Sequence, residues 1–225
     1  MAKAALVTGG SSGIGLAIAR TLRDLDHDVT LAARRQDRLD AAAHGLGAHA
    51  VATDVSRVEE CLSLVAAHRD RFRRLDVLVN CAGVGVGGPI ETLAARHWEL
   101  QFAVNVRAAF VLTQAALPML RAARGLVVNV ASIAGTIPAP GLAAYGASKA
   151  AMISLTESLN AELEDAGVRA SAICPGFVDT PMAEWTGLAS DKMIQPEDCA
   201  EVVRMLLSLS PNARIPQVVI ERVGS

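Results

Sequence analysis

Seven short apolar runs punctuate the chain: AALV at 4–7, VTLAA at 29–33, AHAVAT at 48–53, DVLVN at 76–80, GLVVNVA at 125–131, RASAIC at 169–174 and QVVIER at 217–222. Apolar and polar residues do not alternate in them, so neither face of such a strand is built for water. Continuous apolar strands belong to parallel sheets covered on both sides. The stretches near 13–24, 36–44, 56–71, 96–122, 143–165 and 196–209 carry helical spacing instead. Pro196 with Glu197 and Asp198 marks one helix start, and Gly125 and Gly167 stand just past two helix ends. No linker or repeat interrupts the alternation. The pattern predicts a single doubly wound α/β domain over residues 1–225, with about seven parallel strands and helices on both faces.

Composition narrows the partners. The 225 residues are 52% hydrophobic and 20% charged, with a formal net charge of -2. That balance suits a globular protein and supplies no field to gather nucleic acid, and the arginines are scattered rather than massed. The start, MAKAALVTGG, meets glycine after a short apolar run, which is not a secretory signal. No uninterrupted apolar run approaches the ~18 residues of a membrane span. A cytoplasmic location without membrane contact is expected. Cys61, Cys81, Cys174 and Cys199 show no C-x-x-C spacing and the five histidines do not cluster near them. They read as small buried hydrophobes, and no metal site is expected.

Directly after the first strand comes TGGSSGIG, Thr8 to Gly15, and then a helical segment. Glycines at 9, 13 and 15 let the chain turn tightly, approach a ligand closely and pack helix against strand, while the helix N-terminus offers free N–H groups to a pyrophosphate. The spacing is G-x-x-x-G-x-G, not G-x-G-x-x-G, and a glycine-rich turn can be mere loop punctuation. Its place between first strand and first helix favours nucleotide binding. No Gly-Lys-Ser/Thr follows, which argues against a P-loop. At the tip of the second strand the chain reads LAARRQDRL: Ala33, then Arg34 and Arg35, with no acid until Asp37. A carboxylate there would suit the ribose of NAD, whereas arginine suits a 2′-phosphate. NADP is therefore expected over NAD, with Arg34 as the clamp and Arg35 assisting; a solvated helix start is the alternative.

YGASK at 145–149 holds the only tyrosine and one of three lysines. Four apart on a helix, Tyr145 and Lys149 share a face, roughly 5–6 Å apart at Cβ, so their polar tips can meet. A half-buried phenol beside a solvated surface amine is the plainer alternative. A phenol titrates near 10, so one that accepts a proton near neutrality needs its anion favoured by roughly 2–3 units, about 3–4 kcal/mol. A nearby ammonium pushes that way.

With the glycine turn, NCAG at 80–83, NV at 105–106, ASIAG at 131–135, Y-x-x-x-K at 145–149 and PGFVDT at 175–180, the chain resembles the short-chain dehydrogenase/reductase family over nearly its whole length. Cys81 stands where the family usually has a second asparagine, and the chain ends soon after its last strand. The resemblance implies a Rossmann domain and an NADP-dependent oxidoreductase of carbonyl or secondary alcohol substrates. It implies Tyr145 as general acid/base, Lys149 as its electrostatic partner and a ribose contact, Ser132 as the orienting hydroxyl and Asn105 as the anchor of a proton-relay water. Asn105, unfavourable by propensity inside a helix, would serve equally as a buried structural amide, and Ser132 as a plain turn residue. Cofactor contacts implied are Thr8, Gly9, Ser11, Gly13, Ile14 and Gly15 at the turn, Asp54 near the adenine, Asn80, Ala82 and Gly83 along the ribose, and Pro175, Gly176, Val178 and Thr180 at the nicotinamide end. Asp54 has an alternative use as a cap for the helix near Ser56. The family places a mobile lid over the substrate at 180–195, where Met182, Trp185, Leu188 and Met193 offer an apolar lining and Glu184 and Asp191 polar contacts; packing at a subunit contact is the other use of such residues. The apolar helices at 96–122 and 143–165 suggest pairing with further copies, and a homodimer or homotetramer is implied. Two alternatives stand beside this: a nucleotide-binding sensor or scaffold without turnover, and an epimerase or dehydratase of the extended fold, for whose larger C-terminal domain the chain has no room.

Overall fold

The computed structural model describes residues 2–224; the ends of the expected span, Met1 and Ser225, lie outside the described residues. The described strands, β1 (Lys3–Thr8), β2 (His27–Ala33), β3 (His49–Ala52), β4 (Val77–Asn80), β5 (Leu126–Val130), β6 (Arg169–Pro175) and β7 (Gln217–Ile220), form one sheet in the order β3-β2-β1-β4-β5-β6-β7. Every neighbouring pair is parallel. The connecting helices are α1 (Gly13–Asp24), α2 (Gln36–Leu46), α3 (Val58–Phe72), α4 (Ala95–Phe102), α5 (Ala108–Ala123), α6 (Ala143–Glu162) and α7 (Pro196–Ser208).

Two apolar cores explain why the strands are continuously apolar. Ala5, Val7, Val77, Val79 and Val128 face Ile18 and Leu22 of α1 and Val203 and Leu206 of α7. Their sequence neighbours Leu6, Leu78 and Val127 face Leu64 of α3 and Leu112 and Leu120 of α5 on the other side. Each buried side chain of this kind contributes about 1.5–3 kcal/mol, so the inner strands are held from both faces, while the edge strands β3 and β7 are only half-buried.

All seven strands end at the same edge. The chain builds outward from β1 to β3 and then returns to start β4 on the other side of β1. The loops after β1 and β4 therefore diverge, which opens a crevice at the carboxyl edge where ligands bind in such sheets. The expected helix at 96–122 runs over Ala95–Ala123 but is broken by a π-helical turn, Ala103–Arg107, between α4 and α5. By length and composition Ala95–Ala123 is apolar enough to cross a membrane, although no uninterrupted apolar run marks it; half of its most apolar stretch is buried inside the fold.

Candidate active site

The glycine turn follows β1 directly. Gly9 has φ +68°, and a methyl group on it would lie 3.0 Å from the Ala82 nitrogen. On Gly15 a methyl would lie 2.4 Å from the Gly9 carbonyl oxygen, so only glycine lets α1 start this close to β1. Gly13 has φ +50° and lies against the Thr180 side chain, bringing the loop after β6 onto the turn. The N-cap of α1, Ser12, makes no side-chain cap bond, and the first turn carries no acid. Ser11 and Ile14 flank it, half-buried. This is a helix N-terminus left open to an anion, and it fits a dinucleotide pyrophosphate. Thr8 is different: its buried hydroxyl donates to Val79 O at 3.3 Å and accepts from the N–H groups of Cys81 and Ala82, both at 3.1 Å. It ties β1 to the loop after β4.

At the tip of β2, Arg34 is exposed and has no hydrogen bond or ion pair among the described residues, whereas Arg35 pairs with Asp37 at 3.1 Å. The free guanidinium is thus the one nearer the strand end. Asp54, after β3, accepts from Ser56 N at 3.0 Å, which is the alternative use the sequence allowed. Burial pulls its pKa up, but the Ser56 bonds and the charges of Arg34 and Arg57 outweigh that and hold it below the usual carboxylate value. Asn80 turns away from the crevice. Its amide donates to Asn129 Oδ1 at 2.9 Å and to Thr113 Oγ1 at 3.4 Å inside the fold, while its buried Oδ1 finds no partner there.

Ser132 follows β5 with its backbone extended, and its hydroxyl accepts from Ala134 N at 3.2 Å and donates to Pro175 O at 3.5 Å. Tyr145 sits in the first turn of α6, its ring against Gly85 and its phenol near enough to Ser132 for that side chain to act on its pKa. Lys149, one turn later, is 4% exposed. Its Nζ lies 5.7 Å from the Tyr145 ring centroid and donates to Val130 O at 2.7 Å, with Met152 Sδ at 3.7 Å. The two polar tips therefore do not meet as the helical spacing suggested, nor is the amine a solvated one. The carbonyl at the end of β5 draws the ammonium beneath the ring. Burial accordingly dominates both groups: it raises the Tyr145 pKa above 10.0 against the lowering by Ser132, and it brings Lys149 down to about 8.

Asn105 occupies the π-helical turn. Its Nδ2 donates to Val84 O and Ser148 Oγ and its Oδ1 accepts from Val84 N, all at 2.9 Å, as a buried structural amide would. Ser148 in turn donates to Tyr145 O at 2.7 Å. A methyl on Gly83 would lie 3.5 Å from Asn105 Oδ1 and 3.6 Å from Lys149 Nζ, so glycine keeps a small space that both tips border. β6 ends at buried Pro175, and the loop after it places Val178 in the interior and leaves Gly176 and Thr180 half-buried. Two residues emerge that the sequence did not single out. Ser148 links Asn105 to Tyr145, and Phe177, 41% exposed, packs edge-on to Trp185 with ring centroids 6.0 Å apart. Phe177 was readable as an apolar residue inside PGFVDT; Ser148, amid small residues, gave no signal.

The family model described as short chain dehydrogenase matches residues 3–189. An "uncharacterized oxidoreductase" of Staphylococcus epidermidis is 35% identical over 224 residues, covering 98% of this chain and 97% of the relative. Among solved structures, an alcohol dehydrogenase from the archaeon Thermococcus sibiricus complexed with 5-hydroxy-NADP aligns with TM-score 0.92 and 31% identity, covering 99% of this chain and 97% of that one. An actinorhodin polyketide ketoreductase with NADPH aligns with TM-score 0.88 and 32% identity, covering 97% and 95%.

Proposed function

The chain belongs to the short-chain dehydrogenase family of oxidoreductases, and on that premise we propose that it interconverts a carbonyl compound and a secondary alcohol with NADP(H), Tyr145 acting as general acid/base. The observation that carries this is the phenol of Tyr145 placed beside Ser132, whose side chain acts to lower its pKa, with the buried Lys149 amine 5.7 Å from the centre of its ring. A substrate oxygen that meets both hydroxyls is held by two donors at once, and such fixed donors stabilise charge as it develops on that oxygen. The phenol, its pKa raised by burial, carries its proton near neutrality, the protonation state that carbonyl reduction needs. Lys149, beneath the ring, then offsets the negative charge left on the phenolic oxygen. Asn105 and Ser148 hold the backbone of Tyr145 and the loop at Val84 in register.

When bound, the dinucleotide supplies or accepts the hydride. The open N-terminus of α1 would hold its pyrophosphate, Arg34 its 2′-phosphate and Lys149 its nicotinamide ribose. The NADP and NADPH complexes of the two similar structures support this choice, as does the unpaired state of Arg34. Residues 180–195, on two short turns between β6 and α7, would act as the lid of a single-domain enzyme. For the partner we assign further copies of the chain, seated on the face where Trp98, Phe102, Phe110 and Leu155 line an open groove of about 490 Å³.

Tyr145→Phe tests the assignment. Turnover should fall by roughly 10²–10⁴, the range of a lost general acid, while NADPH binding followed by fluorescence stays as in the wild type. Residual turnover within tenfold of wild type would remove Tyr145 from the role.

A further inference from the structure

Five large apolar side chains stand exposed on the three loops that surround Tyr145 and Ser132: Ile90 at 76%, Ile137 at 54%, Phe177 at 41%, Met182 at 46% and Trp185 at 68%. Each of these loops leaves the carboxyl end of a strand, β4, β5 or β6. So much apolar surface held at a crevice points to an apolar occupant. The aromatic pair is the part held in place. Ile194 N donates to Phe177 O at 3.0 Å, Asp179 N donates to Ile194 O at 2.9 Å, and Val178 bridges Ile194. Ser190 also hydrogen-bonds Asp179 across the base of the loop. Trp185 rides on the turn Pro181–Thr186, pinned by buried Ala183 and by Thr186 Oγ1 donating to Ala183 O at 2.8 Å. Phe177 is two residues from Pro175, whose carbonyl accepts from Ser132; two residues span at most about 7 Å. The ring pair therefore stands on the loop that leaves the strand end touched by the hydroxyl that would hold the reacting oxygen.

Charge narrows the class. Across 84–94, 133–142 and 176–195 the loops carry Glu91, Asp179, Glu184 and Asp191 against the single cation Lys192. An anionic substrate would meet like charge on entry and find no arginine on these three loops to pair with it.

We propose that Phe177 and Trp185 form the wall receiving the substituent on the reacting carbonyl, so that the site selects neutral aryl ketones and the matching aryl carbinols over keto acids and phosphorylated sugars. The assignment rests on Tyr145 and Ser132 holding the reacting oxygen. Edge and face of the two rings give an aryl group the offset geometry that aromatic pairs prefer, which a branched aliphatic group does not exploit.

The test separates binding from turnover. Benzamide, an aryl ketone mimic inert to hydride, is titrated by calorimetry into the NADP-loaded protein, with oxamate as its anionic counterpart. Benzamide should bind and oxamate should not. Phe177→Ala and Trp185→Ala should each weaken benzamide by roughly tenfold or more, the scale of one lost apolar contact in a specificity pocket, with NADPH affinity unchanged. In parallel, kcat/KM for acetophenone should exceed that for pyruvate and fall in the same two variants. Absent benzamide binding, equal affinity in wild type and both variants, or a preference for oxamate would overturn the proposal. If benzamide behaves as expected but no carbonyl is reduced, the aromatic wall stands and the oxidoreductase role of Tyr145 falls.

Discussion

Replacing Lys149 by methionine isolates what a buried ammonium costs this fold. The side chain is 4% exposed, and burial brings its pKa from 10.5 to about 8. The folded pKa lies below the unfolded one, so the unfolded chain binds the extra proton between pH 8 and 10.5, and stability attributable to this group rises as pH climbs through that window. At 1.36 kcal/mol per unit, the shift amounts to about 3 kcal/mol of destabilisation below pH 8, shrinking to about 1 kcal/mol at pH 10. Lys149→Met keeps the length and volume and removes the charge. It also leaves Val130 O without its donor, a loss of about 1–3 kcal/mol that does not change with pH. Urea unfolding of both proteins at pH 7 and pH 10 gives the difference in stability. The variant should be no less stable than wild type at pH 7 within about 1 kcal/mol, and should lose about 2 kcal/mol relative to wild type on going to pH 10, while its turnover collapses. A stability difference that stays the same at the two pH values would refute a buried, partly destabilised ammonium. The thiols of Cys81 and Cys174 are pushed up to about 11 by burial against a lowering by Lys149, so removing the ammonium raises them further and both stay protonated in the folded variant at pH 10.

Arg34→Ala should raise the KM for NADPH roughly ten- to hundredfold, the worth of one charge-assisted phosphate bond, with the KM for NADH unmoved; an unchanged ratio of kcat/KM for the two cofactors would dismiss the clamp. His68 is fully buried: its Nε2–H donates to Arg74 O at 2.9 Å and its Nδ1 accepts from Thr30 at 2.8 Å. Burial lowers its pKa to about 4, so its stabilising contribution is complete above pH 6.5 and drains away as pH falls toward 4. Unfolding free energy should drop by about 2–3 kcal/mol between pH 7 and 4.5 from this group, and an imidazole NMR signal titrating near 6.5 would contradict it. Phe110→Glu on the apolar groove should convert a dimer or tetramer to monomer in sedimentation, whereas a wild-type monomer, or a variant that stays assembled, would discard that face as the contact.

The seven strands, the helices between them and the order of the site motifs were legible because each depends on residues near one another in the chain. A short continuous apolar run bounded by turn residues fits a strand of a covered parallel sheet, and a glycine after it marks a turn wherever the chain later leads; that β3 and β7 are edge strands and only half-buried was set by the topology. That Arg34 stands exposed at a strand tip could likewise be read from its place in the chain. Contacts between distant segments were set by the packing alone. Lys149 and Tyr145 are four apart in any such helix, yet whether the amine bonds the phenol or the end of β5 depends on how closely α6 lies over that strand. The same holds for Asn105, whose amide meets Val84 only because a π-helical turn rotates it toward the loop after β4, and for Thr8, Asn80 and the Phe177–Trp185 pair. Local periodicity determines which elements form. Which donor finds which acceptor is decided by the positions those elements take once their apolar faces have closed together.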